Sequence, residues 1–453
     1  MIDTTLIKDR LLYLALQGKL VGQKTTEESA SKMVSRVSKE LNAVDFKANC
    51  DASEIPFDIP DNWCWCRLSD IGRTNIGLTY HPEDIVNDGT IVVRSSNIIN
   101  GKMDYNDIVK VNCSIRDNQY LDNNDIVVCA RNGSKALVGK CAIYEGDSRT
   151  VAFGAFMAVF RTQYFKYVYY YLQTPVFRRY FSNDDTKQIN QVTQSILKNA
   201  LIPLPPYEEQ IRIVDRVEEI LAVLDNIDSL QSRYATNVKV LKNKLIDAGI
   251  CGKLTEQLPE DGDAEDLYSQ IQDEKTRLIK EGKIKKEKAL PEITEDEIPF
   301  EIPANWTWVR ISDIARKIWA GGDKPKDFSE IKTTELNVPV VANGISDDGI
   351  LGYTAEAKAS ANTITVAGRG TIGYCTYRDY EYCPIVRLIV IEPCKGINPK
   401  YLRYVMERLP EKSVGSSIPQ LTVPMLRPKL IPLPPIAEQI RIVEILERLI
   451  SFF

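Results

Sequence analysis

The sequence predicts an α+β fold in which two mixed, β-rich blocks alternate with two long antiparallel helices, the whole pattern repeating once about a pseudo-twofold axis. Three observations lead to this prediction. Several motifs occur twice, one long stretch has the apolar spacing of a coiled coil, and short β-branched runs ending in turn residues fill the segments between the motifs. A chain of 453 residues is also long enough to form several cores.

The repeated motifs reveal a tandem duplication. The run EIPFDIPDNW starts at residue 54 and returns as EIPFEIPANW from residue 297, and LIPLPP occurs at 201–206 and 430–435, followed each time two residues later by EQIRIV. A third pair, QGKLVGQ and CGKLTEQ, begins at residues 17 and 251. The repeat is circular, because the C-terminal copy holds the start of a helix whose end lies at the N-terminus, with no equivalent of residues 222–234.

The stretch after the first LIPLPP predicts a long helix with a coiled-coil seam, since its apolar residues alternate at spacings of four and three around one polar position, Gln231. We expect this seam to pack against residues 438–449 and 3–16; packing between two copies of the chain is the alternative. The prolines hold the backbone extended before the helix, and Glu208, Glu209 and Glu438 are expected in first turns, where the helix dipole favours acids. The apolar members of the seam, our candidates for binding a partner, are Ile213, Val217, Ile220, Leu224, Ile227, Tyr234, Val238, Leu241 and Leu245.

These features divide the chain into five segments. They are the N-terminal part of a second spacer helix (1–23), a first β-rich domain with its leading linker (24–206), the central spacer helix (207–254), a second β-rich domain with its linker (255–435), and a shortened C-terminal helix (436–453).

Composition limits the possible functions. The net charge is −5, but residues 63–206 carry 16 basic against 13 acidic residues and 304–435 carry 17 against 13, whereas 207–303 carry 14 against 23. Two mildly basic blocks are a weak indication of nucleic acid. The ten cysteines form no C-x-x-C pair, and there is no secretory signal and no apolar run of membrane-spanning length, so reduced thiols and a cytoplasmic location are expected.

Both β-rich blocks contain strands that run into Arg/Asn/Gly loops, such as DIVVCARNGS and TITVAGRGT. Arginine can bind guanine and asparagine or glutamine can bind adenine in the major groove, although the alternative for any one residue is that it caps a turn. The candidate DNA-binding residues in these loops are Arg94, Ser96, Asn97, Arg131, Asn132, Lys135, Asn343, Arg369, Thr371 and Tyr374. A third polar element before each proline motif adds Gln188, Gln191, Ser417 and Gln420, for which a structural role is equally open.

Catalytic motifs are incomplete in this sequence. LPPYEE has Leu204 where an amino-methyltransferase needs Asn or Asp, and GSKALVGKC is one residue too long for a phosphate loop. DFSEIK has its carboxylates too close together for a nuclease, and a single histidine, His81, nearly excludes His-based triads and multi-His metal sites. The chain is therefore expected to be non-enzymatic.

The paired E-I-P-F-[DE]-I-P-x-N-W, IPLPP-x-x-EQIRIV and Gly-Lys-Leu motifs, together with GRGTIGY at residues 368–374, resemble the specificity subunit of type I restriction–modification systems over nearly the whole chain. The resemblance implies two target-recognition domains, each reading half of a bipartite asymmetric DNA site, with two long helices as a ruler between them. It also implies two modification subunits that methylate adenine, and restriction subunits that cut DNA. S-adenosylmethionine, ATP and magnesium would bind these partners, and no cofactor or metal would bind this chain.

One departure from the family concerns the C-terminal helix, which is shorter here than in many members and leaves the spacer length open. Two other functions remain as alternatives: a coiled-coil adaptor that binds proteins and not DNA, and a self-sufficient methyltransferase or nuclease.

Overall fold

The computed structural model describes residues 1–41, 53–147, 150–181, 191–408 and 420–453. Contacts between residues divide the chain into unit 1, Met1–Ser232, and unit 2, Arg233–Phe453. Each unit contains one copy of every repeated motif. None of the helices in the described ranges is both long enough and apolar enough to cross a membrane.

Unit 1 begins with two helices and continues into a β-rich block. Its helices are α1 (Thr4–Leu16), α2 (Ala30–Glu40), α3 (Phe165–Leu172), α4 (Pro175–Arg178), α5 (Gln194–Asn199) and the first part of α6 (Tyr207–Ile250). Its strands are β1 (Cys64–Arg67), β2 (Arg73–Ile76), β3 (Ile85–Val93), β4 (Ile98–Ile99), β5 (Lys102–Met103), β6 (Val109–Val111), β7 (Ile126–Cys129), β8 (Cys141–Ile143), β9 (Val151–Phe153), β10 (Met157–Arg161) and β11 (Leu201–Leu204).

Two sheets form the β-rich block of unit 1. An antiparallel sheet has the order β2-β10-β7-β8, and a second sheet has the order β6-β3-β9, in which β3 is antiparallel to β6 and parallel to β9. The proline motif is itself part of a strand, because its residues form β11, which pairs antiparallel with β1. Strands β4 and β5 form a separate antiparallel pair. Strand β7 is buried along its whole length, which explains its unbroken apolar sequence.

Unit 2 contains the end of α6 and its own β-rich block. Its further helices are α7 (Ala264–Lys280), α8 (Ile311–Ile314), α9 (Pro399–Glu407), α10 (Val423–Leu426) and α11 (Ile436–Ile450). Its strands are β12 (Thr307–Arg310), β13 (Ala315–Ala320), β14 (Val338–Val341), β15 (Ile350–Thr354), β16 (Thr363–Val366), β17 (Cys375–Arg378), β18 (Cys383–Pro384), β19 (Ile389–Pro393) and β20 (Leu430–Leu433).

The sheets of unit 2 reproduce those of unit 1. One antiparallel sheet has the order β13-β19-β16-β17, the other has the order β15-β14-β18 with β14 parallel to β18, and β12 pairs with β20 as β1 pairs with β11. The two blocks therefore share one topology, although their sequences between the repeated motifs show little identity.

The repeated motifs meet in the core of each unit. Gly18, with φ +68°, follows α1, and a Cβ atom there would lie 2.5 Å from the Cγ atom of Pro60. Gly252 has the same φ of +68° after α6, and a Cβ atom would lie 2.3 Å from the Cγ atom of Pro303. Glycine is required at both places because it alone combines a left-handed backbone with this close approach. The Gly-Lys-Leu segment thus packs against the Pro-x-Asn-Trp segment.

A buried glutamate in the first helical turn joins the third motif to the other two. Glu438 is fully buried at the start of α11 and accepts hydrogen bonds from Thr255, Gln257 and Trp306, at 2.8 Å, 2.9 Å and 2.8 Å. The equivalent Glu209 is also fully buried. These two acids lie in first turns as predicted, and they also act as centres that hold the three motifs together.

The N-terminal segment packs antiparallel to the first part of α6 within unit 1. Thr4 Oγ1 donates to Asp228, and Lys8 Nζ lies 2.8 Å from a carboxylate oxygen of Asp225. The backbone N–H of Ile2 donates to Gln231 at 2.6 Å. Partners of later residues in α1 thus lie earlier in α6.

Helix α11 packs on the end of α6 within unit 2. A Cβ atom on Gly249 would lie 3.1 Å from Ile442 and 3.4 Å from Leu446. Both Ile442 and Leu446 belong to the core of this unit. Both terminal segments therefore contact the helix that the sequence analysis assigned to them.

The predicted apolar seam is correct at some positions and wrong at others. Ile213, Val217 and Leu224 are buried in the core of unit 1 and are therefore not available to a partner, while Tyr234 and Leu241 are 56% and 44% exposed. The prediction of a continuous buried seam is wrong at those two positions, which lie along α6 between Gln231, the partner of Ile2, and Gly249, which faces α11. The remaining seam residues are half-buried, namely Ile220, Ile227, Val238 and Leu245.

Candidate nucleic-acid interface

Four loops of unit 1 meet at one edge of its sheets. Gly154, in the turn between β9 and β10, forms a bridge with Leu78 after β2, and its N–H donates to the carbonyl of Val93 at the end of β3. The N–H of Ala130, after β7, donates to the carbonyl of Phe156 in the same turn at 2.9 Å. Backbone hydrogen bonds thus fix the relative positions of the loops at residues 77–80, 94–97, 130–134 and 154–156.

Arg131 is an exposed cation of this edge. It follows the buried strand β7, its guanidinium lies 5.9 Å from the centre of the Phe156 ring, and its backbone forms a bridge with Gln191. Gln191 is exposed as well. Two residues that the sequence analysis predicted from separate motifs, Arg131 and Gln191, are therefore neighbours.

The loop after β3 corrects one prediction. Asn97 is completely buried, and its side-chain N–H groups donate to the carbonyls of Asp104 and Asp107 while its side-chain oxygen accepts from the N–H of Arg94. The prediction that Asn97 reads a base is therefore wrong; it closes the loop instead. Arg94 is half-buried and ion-paired with Asp107 at 2.8 Å, whereas Ser96 is exposed.

The side chain of Asn132 forms hydrogen bonds with residues of two loops at this edge. One of its side-chain N–H groups donates to Ser95 Oγ at 2.9 Å, and its side-chain oxygen accepts from the N–H of Ser134 at 2.9 Å. It thereby joins the loop after β7 to the loop after β3. Lys135, which directly follows the loop at residues 130–134, is exposed.

The corresponding edge of unit 2 is held by Asn343. Its side-chain oxygen accepts from the N–H of Gly368 at 2.8 Å, and its side-chain nitrogen donates to the carbonyl of Val386 at 2.7 Å. Asn343 thus uses both ends of its amide to join three loops. This geometry gives it a positioning role, and its predicted contact with a base stays a prediction.

The loop after β16 closes on itself and leaves Arg369 exposed. The N–H of Ala367 donates to the carbonyl of Tyr374, and the N–H of Tyr374 donates to the carbonyl of Thr371. Thr371 and Tyr374 are half-buried, and Thr371 Oγ1 lies 3.4 Å from the carbonyl of Asn343. Both residues therefore shape the loop that carries Arg369.

Strand register shows that Arg131 and Arg369 are equivalent. In unit 1, Val128 of β7 and the last residue of β2 both pair with Ala158 of β10. In unit 2, Val366 of β16 and the last residue of β13 both pair with Ile389 of β19. Arg131 follows Val128 by three residues, and Arg369 follows Val366 by three. The two arginines therefore extend from the same point of the same topology.

The polar element before each proline motif joins this edge too. The N–H of Val192 donates to the carbonyl of Ala130, and the N–H of Leu421 donates to the carbonyl of Gly368, both at 2.9 Å. The residues just before them are Gln191 and Gln420, so the two glutamines also occupy equivalent positions. The predicted residues Gln188 and Ser417 lie outside the described residues.

The chemistry of these edges is that of fixed cations and polar groups. Burial raises the pKa of the Cys129 thiol, whose sulfur lies 3.7 Å from the carbonyl of Arg131, so this thiol is neutral near pH 7. Within the described ranges, no group of three His, Cys, Asp or Glu side chains is arranged to hold a metal ion. An arginine next to glycines and amides can bind phosphates or the edges of bases.

Sequence reasoning missed Phe156 and Arg387, which occupy the turns between β9 and β10 and between β18 and β19. Phe156 lies in the run GAFMAVF, which resembles the interior of a buried strand, yet it is 62% exposed. Gly154 at the beginning of this run was the available indication of a turn.

Comparison with known proteins agrees with this architecture. A family model described as "Type I restriction modification DNA specificity domain" matches residues 60–233 and 303–453. The type I restriction enzyme EcoAI specificity subunit of Escherichia coli is 25% identical over 400 residues, which cover 75% of this chain and 67% of that protein. The EcoEI specificity subunit of Escherichia coli is 26% identical over 372 residues, which cover 70% of this chain and 62% of that protein.

The aligned part of the chain therefore spans about two thirds of the length of these relatives. A solved structure described as "Structural basis underlying complex assembly and conformational transition of the type I R-M system" is similar with a TM-score of 0.60 and 18% identity, covering 88% of this chain and 92% of that one. This likeness concerns the fold.

Proposed function

The chain belongs to the family of type I restriction modification DNA specificity domains, and on this premise we propose that it is a DNA-recognition subunit whose two units each read one half of a bipartite sequence. Its relatives are named specificity subunits of type I restriction enzymes. The observation that carries the proposal is the equivalence of Arg131 and Arg369, two exposed arginines at the same strand end of two units.

Direct reading of base edges explains this arrangement best. The planar guanidinium of arginine binds the O6 and N7 atoms of guanine in the major groove. Gly370 beside Arg369 is exposed and allows the backbone to approach the duplex closely. Gln191 and Gln420, adjacent to the two loops, are suited to adenine.

The recognised sequence is expected to be asymmetric. The loops of the two units have the same backbone framework, but Asn132 corresponds to Gly370 and Phe156 to Arg387. Since the side chains differ at these two pairs of positions, the two units would select different base pairs there. Arg131, Gln191, Arg369 and Gln420 are the residues that we assign to base contacts, with Ser96 and Lys135 near the phosphates.

The length of α6 supports a role as a spacer. Helix α6 contains 44 residues, which at about 1.5 Å per residue give roughly 66 Å, close to two turns of B-DNA at about 34 Å each. We propose that α6 and the two terminal segments form the antiparallel, pseudo-twofold spacer between the two readers.

Catalysis is assigned to partner subunits. We propose that two modification subunits and the restriction subunits assemble on this chain in the cytoplasm, and that they bind S-adenosylmethionine, ATP and magnesium. The support is the naming of the relatives as specificity subunits, together with a solved structure that concerns complex assembly of a type I system. The chain itself would be non-catalytic.

The test is an exchange of one reader. Residues 73–186 are replaced by the matching segment of another family member, the chain is expressed with its modification subunits, and methylated positions in genomic DNA are sequenced. One half of the methylated sequence should change and the other half should stay. A change in both halves, or in neither, would contradict the assignment of one half-site to each unit.

The same protein also distinguishes the alternatives. A coiled-coil adaptor without a DNA role would show no salt-sensitive binding to duplex DNA, whereas a DNA-reading subunit loses affinity steeply as salt rises. A self-sufficient methyltransferase or nuclease would modify or cut DNA as the purified chain alone. The family match favours neither alternative.

A further inference from the structure

Phe156 is an exposed aromatic residue inside the candidate interface. It lies between the buried strands β9 and β10 and is 62% exposed. Its carbonyl accepts hydrogen bonds from the N–H groups of Ala130 and Arg131, at 2.9 Å and 3.1 Å. The backbone of this turn is thus committed to the fold, and the ring extends from a rigid support.

A cation and a partly apolar hollow lie beside the ring. The guanidinium of Arg131 lies 5.9 Å from the ring centre, a distance at which a cation and an aromatic face attract each other. The ring also lines an open hollow of about 450 Å³, together with Tyr80, Ser95 and Ser96. There is therefore room beside the ring for the edge of a base pair. The guanidinium of Arg131 provides hydrogen-bond donors next to the same ring.

Strand register identifies the counterpart of Phe156 in unit 2. Ala158 in β10 pairs with Ile76, the last residue of β2, and Ile389 in β19 pairs with Ala320, the last residue of β13. Phe156 precedes Ala158 by two residues, and the residue that precedes Ile389 by two is an arginine. The two units thus present different side chains from one equivalent turn.

That counterpart, Arg387, is exposed and has a φ of +59°, and Val386 before it has a φ of +53°. Both values lie in the left-handed region, which is costly for a β-branched residue such as valine. The side-chain N–H of Asn343 holds this turn through the carbonyl of Val386. The strained turn of unit 2 thus presents the charged side chain of Arg387 at the position where the turn of unit 1 presents the aromatic ring of Phe156.

We propose that Phe156 is a specificity-determining residue of unit 1 that packs against the 5-methyl group of a thymine in the major groove. This inference rests on the proposed function. The thymine methyl is the one apolar group that a base pair presents in that groove, so an apolar ring favours thymine there over the other bases. Arg131 then reaches hydrogen-bond acceptors of the same or the next base pair.

The experiment selects bound duplexes from a random pool with the full-length chain. Phe156→Ala should lose the preference for thymine at one position and lower the affinity for the wild-type sequence roughly tenfold. Phe156→Leu keeps an apolar group and should retain part of the preference. Phe452→Ala is the matched control, because Phe452 is 75% exposed but lies outside the loops.

A second measurement removes the methyl group of the thymine and leaves the ring of Phe156 intact. Uracil replaces thymine at the selected position, which should lower the affinity of the wild-type chain about as much as Phe156→Ala does. The two changes should not add, since both remove one contact. Full additivity, or no loss with uracil at any thymine, would overturn the proposal, as would a selected sequence without thymine in the affected half.

Two further outcomes separate the possible failures. If the wild-type chain selects a bipartite sequence and Phe156→Ala selects the same one at every position, only the role of Phe156 is wrong. If the wild-type chain selects no sequence, the proposed function fails and takes this inference with it. A rise in the fluorescence of 2-aminopurine next to the site would show that the ring unstacks bases as a wedge, contrary to the proposal.

Discussion

The indole N–H of Trp306 donates a hydrogen bond of 2.8 Å to the carboxylate of Glu438. Both groups are buried in the core of unit 2. The equivalent tryptophan of unit 1, Trp63, has its indole nitrogen buried without an acceptor in the described part of the chain. Within the described residues, the indole N–H at this position of the motif is thus hydrogen-bonded in unit 2 and not in unit 1.

This difference predicts that one substitution destabilises the two units to different extents. Trp306→Phe removes a donor from a buried carboxylate and should lower the free energy of unfolding of unit 2 by about 1–3 kcal/mol. Trp63→Phe removes a donor that lacks an acceptor and should cost less than about 1 kcal/mol in unit 1 beyond the smaller ring. Hydrogen exchange measured peptide by peptide reads the two units separately. Equal losses in both would contradict the structural difference.

The ion pair between Arg441 and Asp261 predicts a pH effect. The side chain of Asp261 is 2% exposed and accepts a hydrogen bond of 2.6 Å from Arg441, which lowers the pKa of its carboxyl below the usual 3.8. Because the pKa is lower in the folded state, the stabilisation is complete above about pH 5 and is lost as the pH falls through the folded pKa. Asp261→Asn should therefore destabilise unit 2 at neutral pH.

The control for this prediction is Asp266→Asn, since Asp266 is exposed on the neighbouring helix α7. Unfolding by urea is measured between pH 7 and pH 3. The gap between wild type and Asp261→Asn should be constant down to about pH 5 and narrow below pH 4. A gap that widens on acidification would reverse the sign and exclude this explanation.

The repeated frame could be predicted because its information is local. LIPLPP, the Gly-Lys-Leu ends and the first-turn acids are contiguous sequence features, and the structure has strands, helix ends and helix starts at these motifs. That Glu438 is a buried centre could not be read from the sequence, because its partners Gln257 and Trp306 are 181 and 132 residues away along the chain. Pairing over such distances leaves no periodic pattern.

The loops show where sequence reasoning ends for the candidate site. Asn97 and Arg131 both follow β-branched strands in similar polar contexts, but Asn97 turns inward to bind the carbonyls of Asp104 and Asp107 while Arg131 turns outward. Side-chain direction depends on the neighbouring loop, not on the residue's own motif. The shared topology of the two inserts was also hidden, because strand pairing does not require identical residues.

Asn343 offers a test of loop positioning. Asn343→Ala removes the hydrogen bonds to Gly368 and Val386, so the loops of unit 2 should exchange hydrogens faster, and the preference for bases in that half-site should weaken. Asn337→Ala is the control, because Asn337 is exposed and, in the described structure, the hydrogen bond of its side chain is local, to the carbonyl of Thr334. Duplex selection and hydrogen exchange are measured on the same preparations. Faster exchange without any change in base preference would separate loop order from recognition.

The equivalence of Arg131 and Arg369 predicts two separable losses of specificity. Arg369→Ala should weaken binding to the specific duplex by about 1–3 kcal/mol and relax the preference at one position of one half-site, while Arg131→Ala does so in the other half. Lysine should not restore the preference at either position, because it lacks the planar fork that matches guanine.

Arg448→Ala is the control for these variants, since Arg448 is exposed on α11, away from the strand-end loops. Affinities are measured against a panel of duplexes that differ at single base pairs and at two salt concentrations. A base-reading arginine changes the ranking of the panel, whereas an arginine that binds only phosphate lowers all affinities alike and reduces the salt dependence. An unchanged ranking for both Arg131→Ala and Arg369→Ala would therefore assign the two arginines to the DNA backbone and leave base recognition to the neighbouring glutamines and Phe156.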